Sequence, residues 1–252
     1  MGRNVAIVTA RAGSKSILNK NVMLSGGKPI IHYPIKAALG AERIAQVFVS
    51  TDGDLIANAS VEAGATIIPR PDELGGDTVN HGIVIRHAVE WVEERFPDLE
   101  NVVLLLGNTV MIDSALIDRA LAILDEKRDI DSVMTVWEAA DDHPFRALEI
   151  KDGLVRPFGG ERKVSTERQS YPKAYYYDQG IWAFRKHTVR EETGPNPWWW
   201  MGKRVHPIVR TWVTGRDVHT HFDNGIQEWW LAGGDKVQAE DDARIVQPAG
   251  GQ

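Results

Sequence analysis

Residues 5–21 of the chain, VAIVTARAGSKSILNKN, join a short apolar run to a loop that carries several positive charges. Residues 5–9 are mostly Val, Ile and Ala, which predicts a strand covered by helices on both faces. Ligands of open α/β sheets bind at the carboxyl ends of such strands. The loop offers a permissive glycine, a hydroxyl and three cations, namely Gly13, Ser14, Arg11, Lys15 and Lys20. It therefore predicts a site for the phosphates of a nucleotide.

This loop differs from two common phosphate-binding sequences. It lacks the Gly-Lys-Ser/Thr end of a Walker loop, and it lacks the Gly-x-Gly-x-x-Gly of a dinucleotide site. A dinucleotide cofactor is therefore disfavoured. Taken alone, the loop also fits a solvated turn with scattered basic residues.

Apolar runs and helical patterns alternate along the first 137 residues. Strands are predicted at 5–9, 46–51, 66–70, 101–107 and 132–138, and helical patterns lie at 29–41, 54–64, 77–96 and 113–127. This alternation is typical of βαβ units, so it predicts a doubly wound, mostly parallel α/β sheet of the Rossmann-like kind.

The alternation of strands and helical patterns ends after residue 138. Residues 146–158 predict a hairpin that turns at 151–153, within a β-rich insertion at about 139–178. The strand that follows rejoins the main sheet. We thus expect one domain over residues 1–236 and a polar C-terminal tail over 237–252.

Composition narrows the function further. The chain has 252 residues, a net charge of −6 and no cysteine, which excludes disulfides and thiolate metal sites. The net negative charge disfavours sequence-independent binding of nucleic acids, which needs a basic surface. Apolar runs are too short for a membrane span or a signal peptide, so neither a nucleic-acid partner nor a membrane is expected. A cytoplasmic protein fits best.

Several segments resemble the cytidylyltransferases that activate sugar acids, above all CMP-sialic acid synthetases. They are ARAGSKSILNKNVMLSGGKPIIHYPIKAAL at 10–39, VFVSTDGDLIANASVEAGATIIPRPDELGGDT at 47–78, RQSYPKAYYYDQGIWAF at 168–184, and a piece near 217–232. The resemblance implies transfer of CMP from CTP to the hydroxyl of an acid, with release of pyrophosphate. It also implies Mg²⁺ as cofactor and a homodimer formed through the β-rich insertion.

The resemblance assigns roles to the opening loop and to one later arginine. Arg11, Ser14, Lys15 and Lys20 would hold the phosphates around Gly13, with Arg11, Lys15 and Lys20 acting in catalysis. Asn21 would contact the nucleoside and Arg70 the cytosine. For Arg70, a helix-capping or surface role is the alternative.

The metal site departs from the family pattern. The family has Asp-Ile-Asp-Thr just before its last helix, where this chain has VHTHFDNGIQEWWLA at 218–232. Asp223 is matched to the second aspartate and His221 to the first, and alternation on a strand would place both on one face. They would hold Mg²⁺ through Asp223, or Mn²⁺ or another divalent ion, because imidazole suits softer metals. A structural role for His221 stays open.

The acceptor site departs more. Leu106 stands where the family has a glutamine and Ile112 where it has an arginine, so Asn108, Thr109, Gln179 and Arg168 become the acceptor candidates. Arg168 could pair with a carboxylate or a phosphonate. The expected acceptor is a nonulosonic-type sugar acid or another small anionic metabolite such as a phosphonate.

Two other functions remain open at this point. They are a sugar-phosphate nucleotidyltransferase that uses another NTP, and a non-catalytic nucleotide-binding relative. The run Trp198–Trp200 fits core or dimer packing, or else an aromatic wall over the acceptor.

Overall fold

A computed structural model describes residues 3–13, 17–76, 78–160, 165–167, 170–212, 214, 216–234 and 236. Ser14, Lys15, Arg168 and the predicted tail 237–252 lie outside these ranges. The strands of the described part are β1 (Arg3–Thr9), β2 (Leu24–Ser25), β3 (Lys28–Pro29), β4 (Gln46–Thr51), β5 (Thr66–Pro69), β6 (Leu99–Leu106), β7 (Ser132–Glu138), β8 (Leu148–Lys151), β9 (Leu154–Pro157), β10 (Tyr175–Arg185) and β11 (Val205–Arg210).

The α-helices of the same part are α1 (His32–Leu39), α2 (Asp54–Ala63), α3 (His81–Arg95), α4 (Ser114–Glu126), α5 (Thr188–Glu191) and α6 (His221–Trp229). None of these described helices is long and apolar enough to cross a membrane. Asp113 caps α4 by accepting a hydrogen bond from the Leu116 amide.

One central sheet has the strand order β11-β7-β10-β6-β1-β4-β5. β1 runs parallel to β4 and β6, β4 parallel to β5, and β7 parallel to β11. Only β10 is antiparallel to its neighbours within this sheet, inserted between β6 and β7. The predicted doubly wound, mostly parallel fold is therefore confirmed.

Apolar side chains fill both faces of the sheet. One layer packs α1, α2 and α4 against it through residues such as Ile35 and Leu121. The other packs α3 and the segment around Trp200 against it, with Val89 at its centre. Because both faces are covered, the strands carry almost unbroken runs of Val, Ile and Leu.

Three details differ from the sequence expectations. Edge strand β11 was not predicted, because Pro207 interrupts its pattern and proline is tolerated mainly at edges. Tyr175–Tyr177 pair with β7, so the last part of the predicted insertion belongs to the main sheet. The expectation of a strand through His221 and Asp223 was wrong, because Thr220 begins α6 with a capping box.

Candidate functional site

A cavity of about 450 Å³ opens at the carboxyl ends of β1 and β6. It is lined by four described residues that the sequence assigned to the nucleotide, namely Arg11, Lys20, Asn21 and Arg70. Gly13 lies in the adjoining loop with a positive φ of 71°. Because parallel strands end at one edge of the sheet, residues far apart in sequence meet here.

The loop after β1 is fixed by two hydrogen bonds. The Ala12 amide donates to Oδ1 of Asp52 at 2.8 Å, and Asn21 Nδ2 donates to the Arg11 carbonyl at 3.1 Å. Gly107 allows this closeness, since a Cβ there would lie 2.8 Å from the Ala10 Cβ. The carboxylate of Asp52 thus positions the loop.

Lys20 begins a short 3-10 turn at the cavity wall. Its ammonium has no hydrogen-bond or ion-pair partner among the described residues. Burial lowers the pKa of Lys20, the Asp217 carboxylate opposes this, and Arg11 adds to the lowering. A partly buried cation without a partner is suited to bind an anionic ligand.

Arg70 is buried beneath the same cavity, with 8% of its surface exposed. Its Nη2 donates to the Ser50 carbonyl at 2.6 Å and its Nε to Ser50 Oγ at 3.3 Å, which orients the guanidinium. Burial lowers the pKa of Arg70, and the Asp52 carboxylate opposes that lowering. Ser50 thus orients the Arg70 guanidinium, which also lines the cavity. The contact of Arg70 with cytosine stays a prediction.

His81 was not identified from the sequence, although it is the first residue of α3. Its Nε2 lies 3.0 Å from Thr9 Oγ1, and its ring contacts the Trp200 ring edge to face at 5.9 Å. Burial and the charge of Arg70 lower the pKa of His81 to about 4. The side chain is therefore neutral near pH 7.

Asp217 was also not identified from the sequence, and it lies beside His219 on the loop before α6. Asp217 Oδ1 is 2.9 Å from His219 Nε2, and its Oδ2 accepts a 2.8 Å hydrogen bond from Asn108 Nδ2. His219 lines the cavity with Lys20. The signal that could have found Asp217 is the cap, since Thr220 caps α6 and leaves residues 217–219 in the loop before the helix.

Asp223 and His221 lie in the first turn of α6. Asp223 Oδ2 accepts hydrogen bonds from the amides of His219 and Thr220 and from Thr220 Oγ1, at 2.7 to 3.0 Å. Burial would raise the pKa of Asp223, but these bonds and Arg216 hold it below its ordinary value. His221 is exposed. The metal role predicted for this pair stays a prediction.

The predicted acceptor residues are dispersed. Asn108 faces the first cavity but uses its amide to hold the loop at 217–218. Thr109 is buried, with 1% of its surface exposed. Gln179 lines a second cavity of about 280 Å³, which shares His81 and Leu106 with the first.

Several known proteins are similar to this chain. One relative, from Helicobacter pylori, is named pseudaminic acid cytidylyltransferase and UDP-2,4-diacetamido-2,4,6-trideoxy-beta-L-altropyranose hydrolase. It is 28% identical over 194 residues, which cover 77% of this chain and 36% of the relative. An N-acylneuraminate cytidylyltransferase of Escherichia coli is 32% identical over 132 residues, covering 52% and 30%. The chain thus spans about a third of the length of these two relatives.

A third relative matches along nearly its whole length. Post-translational flagellin modification protein B of Campylobacter coli is 26% identical over 92% of this chain and 96% of its own. Among solved structures, a CMP:2-keto-3-deoxy-manno-octonic acid synthetase complexed with CTP superposes with a TM-score of 0.68 at 16% identity, covering 92% of this chain and 99% of the other. That likeness shows the Rossmann-like nucleotidyltransferase fold.

Strands β2 to β10, the loop after β1 and the residues that line the cavity, apart from His219, lie within one matched region. Residues 5–191 fit the sequence profile described as cytidylyltransferase. That region covers about three quarters of the chain and includes Arg11, Lys20, Asn21 and Arg70. The chain therefore belongs to the cytidylyltransferase family.

Proposed function

We propose that the protein transfers CMP from CTP to a hydroxyl of a small acidic acceptor, a sugar acid in the first place, and releases pyrophosphate. The observation that carries this proposal is the convergence of Arg11, Lys20 and Arg70 on one cavity of a cytidylyltransferase fold. The names of the relatives, which act on pseudaminic and N-acylneuraminic acids, support a sugar acid as acceptor.

The phosphates of CTP would lie against the loop after β1. Arg11 and Lys20 supply positive charge there, and Ser14 and Lys15, which follow Gly13 in the sequence, would add donors. Asn21 would contact the nucleoside. Arg70, held by Ser50, would offer donors to the acceptor atoms of cytosine, which gives a basis for choosing CTP over UTP.

The residues near Lys20 fit a hard divalent cation. Mg²⁺ is commonly bound by one or two carboxylates together with substrate phosphates and water. Asp217 offers one carboxylate, and His219 lies beside it at the edge of the cavity. Among the described residues no group of three or more His, Asp or Glu side chains is placed to hold a metal, so phosphate oxygens would complete the shell.

Asp217 and His219 would therefore hold Mg²⁺, or Mn²⁺ in its place, and the ion would neutralise phosphate charge. The pair Asp223 and His221 is the other candidate from the sequence. Three donors of the helix cap occupy Oδ2 of Asp223, whereas each carboxylate oxygen of Asp217 has one partner among the described residues, His219 or Asn108.

The chemical step is an in-line displacement at the α-phosphorus. The acceptor oxygen forms a bond to phosphorus, the bond to the bridging oxygen of pyrophosphate breaks, and the hydroxyl proton leaves to solvent or a nearby base. Lys20 and Arg11 stabilise the charge that develops on the phosphate oxygens, in a preorganised site. The protein needs no nucleophile of its own.

A homodimer and a cytoplasmic location complete the proposal. The β8–β9 ribbon exposes a group of large apolar side chains, and such clusters mark interaction surfaces. They are Leu148, Ile150, Leu154, Val155 and Phe158. CTP as substrate is in keeping with the cytoplasm.

Pyrophosphate release tests the function directly. The purified protein with Mg²⁺ is offered CTP, UTP, ATP or GTP together with sugar acids, sugar 1-phosphates or phosphonates. Release only with CTP and a sugar acid is expected. Turnover with a sugar phosphate and another NTP would identify a sugar-phosphate nucleotidyltransferase, and CTP binding without any turnover would identify a non-catalytic relative.

A further inference from the structure

Strand β10 carries a large bulge near the carboxyl edge of the sheet. One residue of β7, Thr135, lies opposite four residues of β10, 178–181, because the register of the two strands shifts there. Gln179 lies within the bulge and has a positive φ of 56°. Bulges interrupt the hydrogen bonds of a ladder and redirect side chains, so the backbone groups of this segment need other partners.

Asp178 supplies a partner that replaces part of the interrupted ladder. Its Oδ1 accepts a hydrogen bond from the Gly180 amide at 2.8 Å and another from the hydroxyl of Thr135. The Thr135 oxygen in turn accepts a hydrogen bond from the Ile181 amide at 2.8 Å. A Cβ at Gly180 would lie 2.7 Å from Nη1 of Arg210 and 2.9 Å from Oδ1 of Asp178. The carboxylate of Asp178 therefore fixes the bulge.

Arg210 forms an ion pair with the other oxygen of this carboxylate. Its Nη1 lies 3.3 Å from Oδ2 of Asp178, and its Nη2 donates to the Met111 carbonyl at 2.8 Å. The side chain of Asp178 is fully buried, and that of Arg210 is 10% exposed. A planar guanidinium is suited to make both contacts at once, whereas the ammonium of a lysine is a single point charge.

Three segments that carry candidate site residues meet at Arg210. It is the last residue of β11, from which the chain runs into the loop that carries Asp217. Met111 belongs to the loop after β6, whose Asn108 donates a hydrogen bond to Asp217. The third segment is the bulge with Gln179. One buried guanidinium therefore sets how these three segments lie relative to one another.

Stability alone gives little reason for a buried ion pair. The cost of removing two charges from water offsets most of their attraction, and an apolar pair of similar size often stabilises a core at least as well. In this protein both members of the pair also bind the backbone of a connecting segment, namely the Gly180 amide and the Met111 carbonyl. The pair thus adds a defined geometry of the two segments.

Building on the proposed CMP transfer, we propose that Asp178 and Arg210 are positioning residues of the reaction. They hold the bulge of β10 and the loop after β6 in the arrangement that lets the acceptor hydroxyl reach the α-phosphorus of CTP. Neither side chain lines the cavity with Lys20 and Arg70 or the cavity beside it. Because the nucleotide is held by other loops, its binding does not depend on the ion pair.

Two variants test the pair without leaving a buried charge unpaired. Arg210→Lys keeps the charge but lacks the planar fork, and Asp178→Asn combined with Arg210→Met removes both charges together. Pyrophosphate release is measured with CTP and either pseudaminic acid or N-acetylneuraminic acid. Each variant should raise the KM for the acid at least about tenfold and change the KM for CTP less than about twofold. A loss of folded protein alone would lower kcat and leave both KM values unchanged.

Arg185, at the other end of β10, provides a matched control. Its Nε donates to the Ile130 carbonyl at 3.0 Å and its Nη2 to the Leu124 carbonyl at 2.8 Å, and it lines neither cavity. Arg185→Lys loses the same kind of fork, so a comparable fall in melting temperature is expected with both KM values as in the wild type. An unchanged KM for the acid in Arg210→Lys, or an equal rise in Arg185→Lys, overturns the inference.

Amide hydrogen exchange distinguishes this inference from the proposed transfer. The amides of Gly180 and Ile181 should exchange at least about tenfold faster in both variants of the pair than in the wild type, because the bulge opens locally. Arg185→Lys should leave these two amides unchanged. Faster exchange confined to the bulge and the loop after β6 supports the inference even if no acid is turned over, in which case the transfer proposal alone fails. Exchange at the wild-type rate, or acceleration spread over the whole sheet, overturns it.

Discussion

Asn108, at the end of β6, donates a 2.8 Å hydrogen bond to the buried carboxylate of Asp217, which lies 109 residues later in the chain. The same amide nitrogen donates to the Val218 carbonyl at 3.1 Å. The loop before α6 is thereby joined to the carboxyl edge of the sheet. This bond brings Asp217 and His219 next to Lys20.

Replacement of the two aspartates discriminates between the candidate metal pairs. Asp217→Asn should lower metal-dependent pyrophosphate release by about two orders of magnitude or more, since it removes the carboxylate that raises the pKa of Lys20 most strongly. Asp223→Asn should retain most activity but lower stability by about 1–2 kcal/mol, because it weakens a helix cap. Activity against Mg²⁺, Mn²⁺ and Co²⁺ concentration and thermal unfolding are the measurements. The reverse pattern would establish the pair Asp223 and His221.

Lys20→Ala should reduce kcat by about two orders of magnitude, with a smaller rise in the KM for CTP. The ammonium is a charge contact that we place on the reacting phosphates, and such contacts act mainly in the transition state. Steady-state kinetics at saturating acceptor provide the comparison. Lys28→Ala, an exposed lysine of β3, is the control and should behave as wild type. A nearly unchanged kcat in Lys20→Ala would falsify its role at the reacting centre.

Arg70→Ala should raise the KM for CTP more than it lowers kcat, and it should narrow the preference for CTP over UTP. A site that hydrogen-bonds a base loses discrimination when the donor is removed. Ser50→Ala tests how far Ser50 orients the Arg70 guanidinium. It removes only the contact of Arg70 with the Ser50 Oγ and leaves the shorter hydrogen bond to the Ser50 carbonyl. It should have a small effect. If the ratio of kcat/KM for CTP and UTP stays constant in Arg70→Ala, the arginine does not contact cytosine.

His81 gives the protein a defined acid sensitivity. Its pKa is about 4 in the folded protein and 6.5 in the unfolded chain, so between these values the unfolded chain binds the proton more tightly. Stability is therefore lost as pH falls from 6.5 to 4, by up to about 3 kcal/mol. His81→Gln cannot titrate and should lose correspondingly less over this range in urea titrations. Parallel stability curves for the two proteins would contradict the buried, neutral histidine.

Ile150→Glu should convert the proposed homodimer into a monomer. Ile150 is 80% exposed on the β8–β9 ribbon, and a carboxylate placed in an apolar interface loses its water without gaining a partner. Sedimentation equilibrium measures the mass of each variant. Leu55→Glu, at an exposed leucine of α2, should remain dimeric. A wild-type mass of one chain would exclude the dimer altogether.

The sheet could be predicted because each parallel strand is buried on both faces and its composition shows this directly. Arg11 and Lys20 could be placed at one site because ligands bind at strand ends. Asn21 and Arg70 were added to that site through the resemblance to a known family. Asp217 and His81 could not be placed there from the sequence. The position of Asp217 depends on where Thr220 starts a helix. The position of His81 depends on the burial of one helix terminus under Trp200. The positions of Asp217 and His81 both follow from packing between segments that are distant in the sequence. The periodicity of the sequence does not predict such packing.

The contact between Gly82 and Trp199 limits how residues 194–201 could be exchanged between related proteins. A Cβ at residue 82 would lie 2.4 Å from the indole ring, so any other residue there displaces the tryptophan segment. Exchange of residues 194–201 with those of a relative would therefore succeed only when the start of α3 is exchanged with it. The two segments therefore have to be exchanged together, because a chimera that takes only one of them would displace the tryptophan side chains.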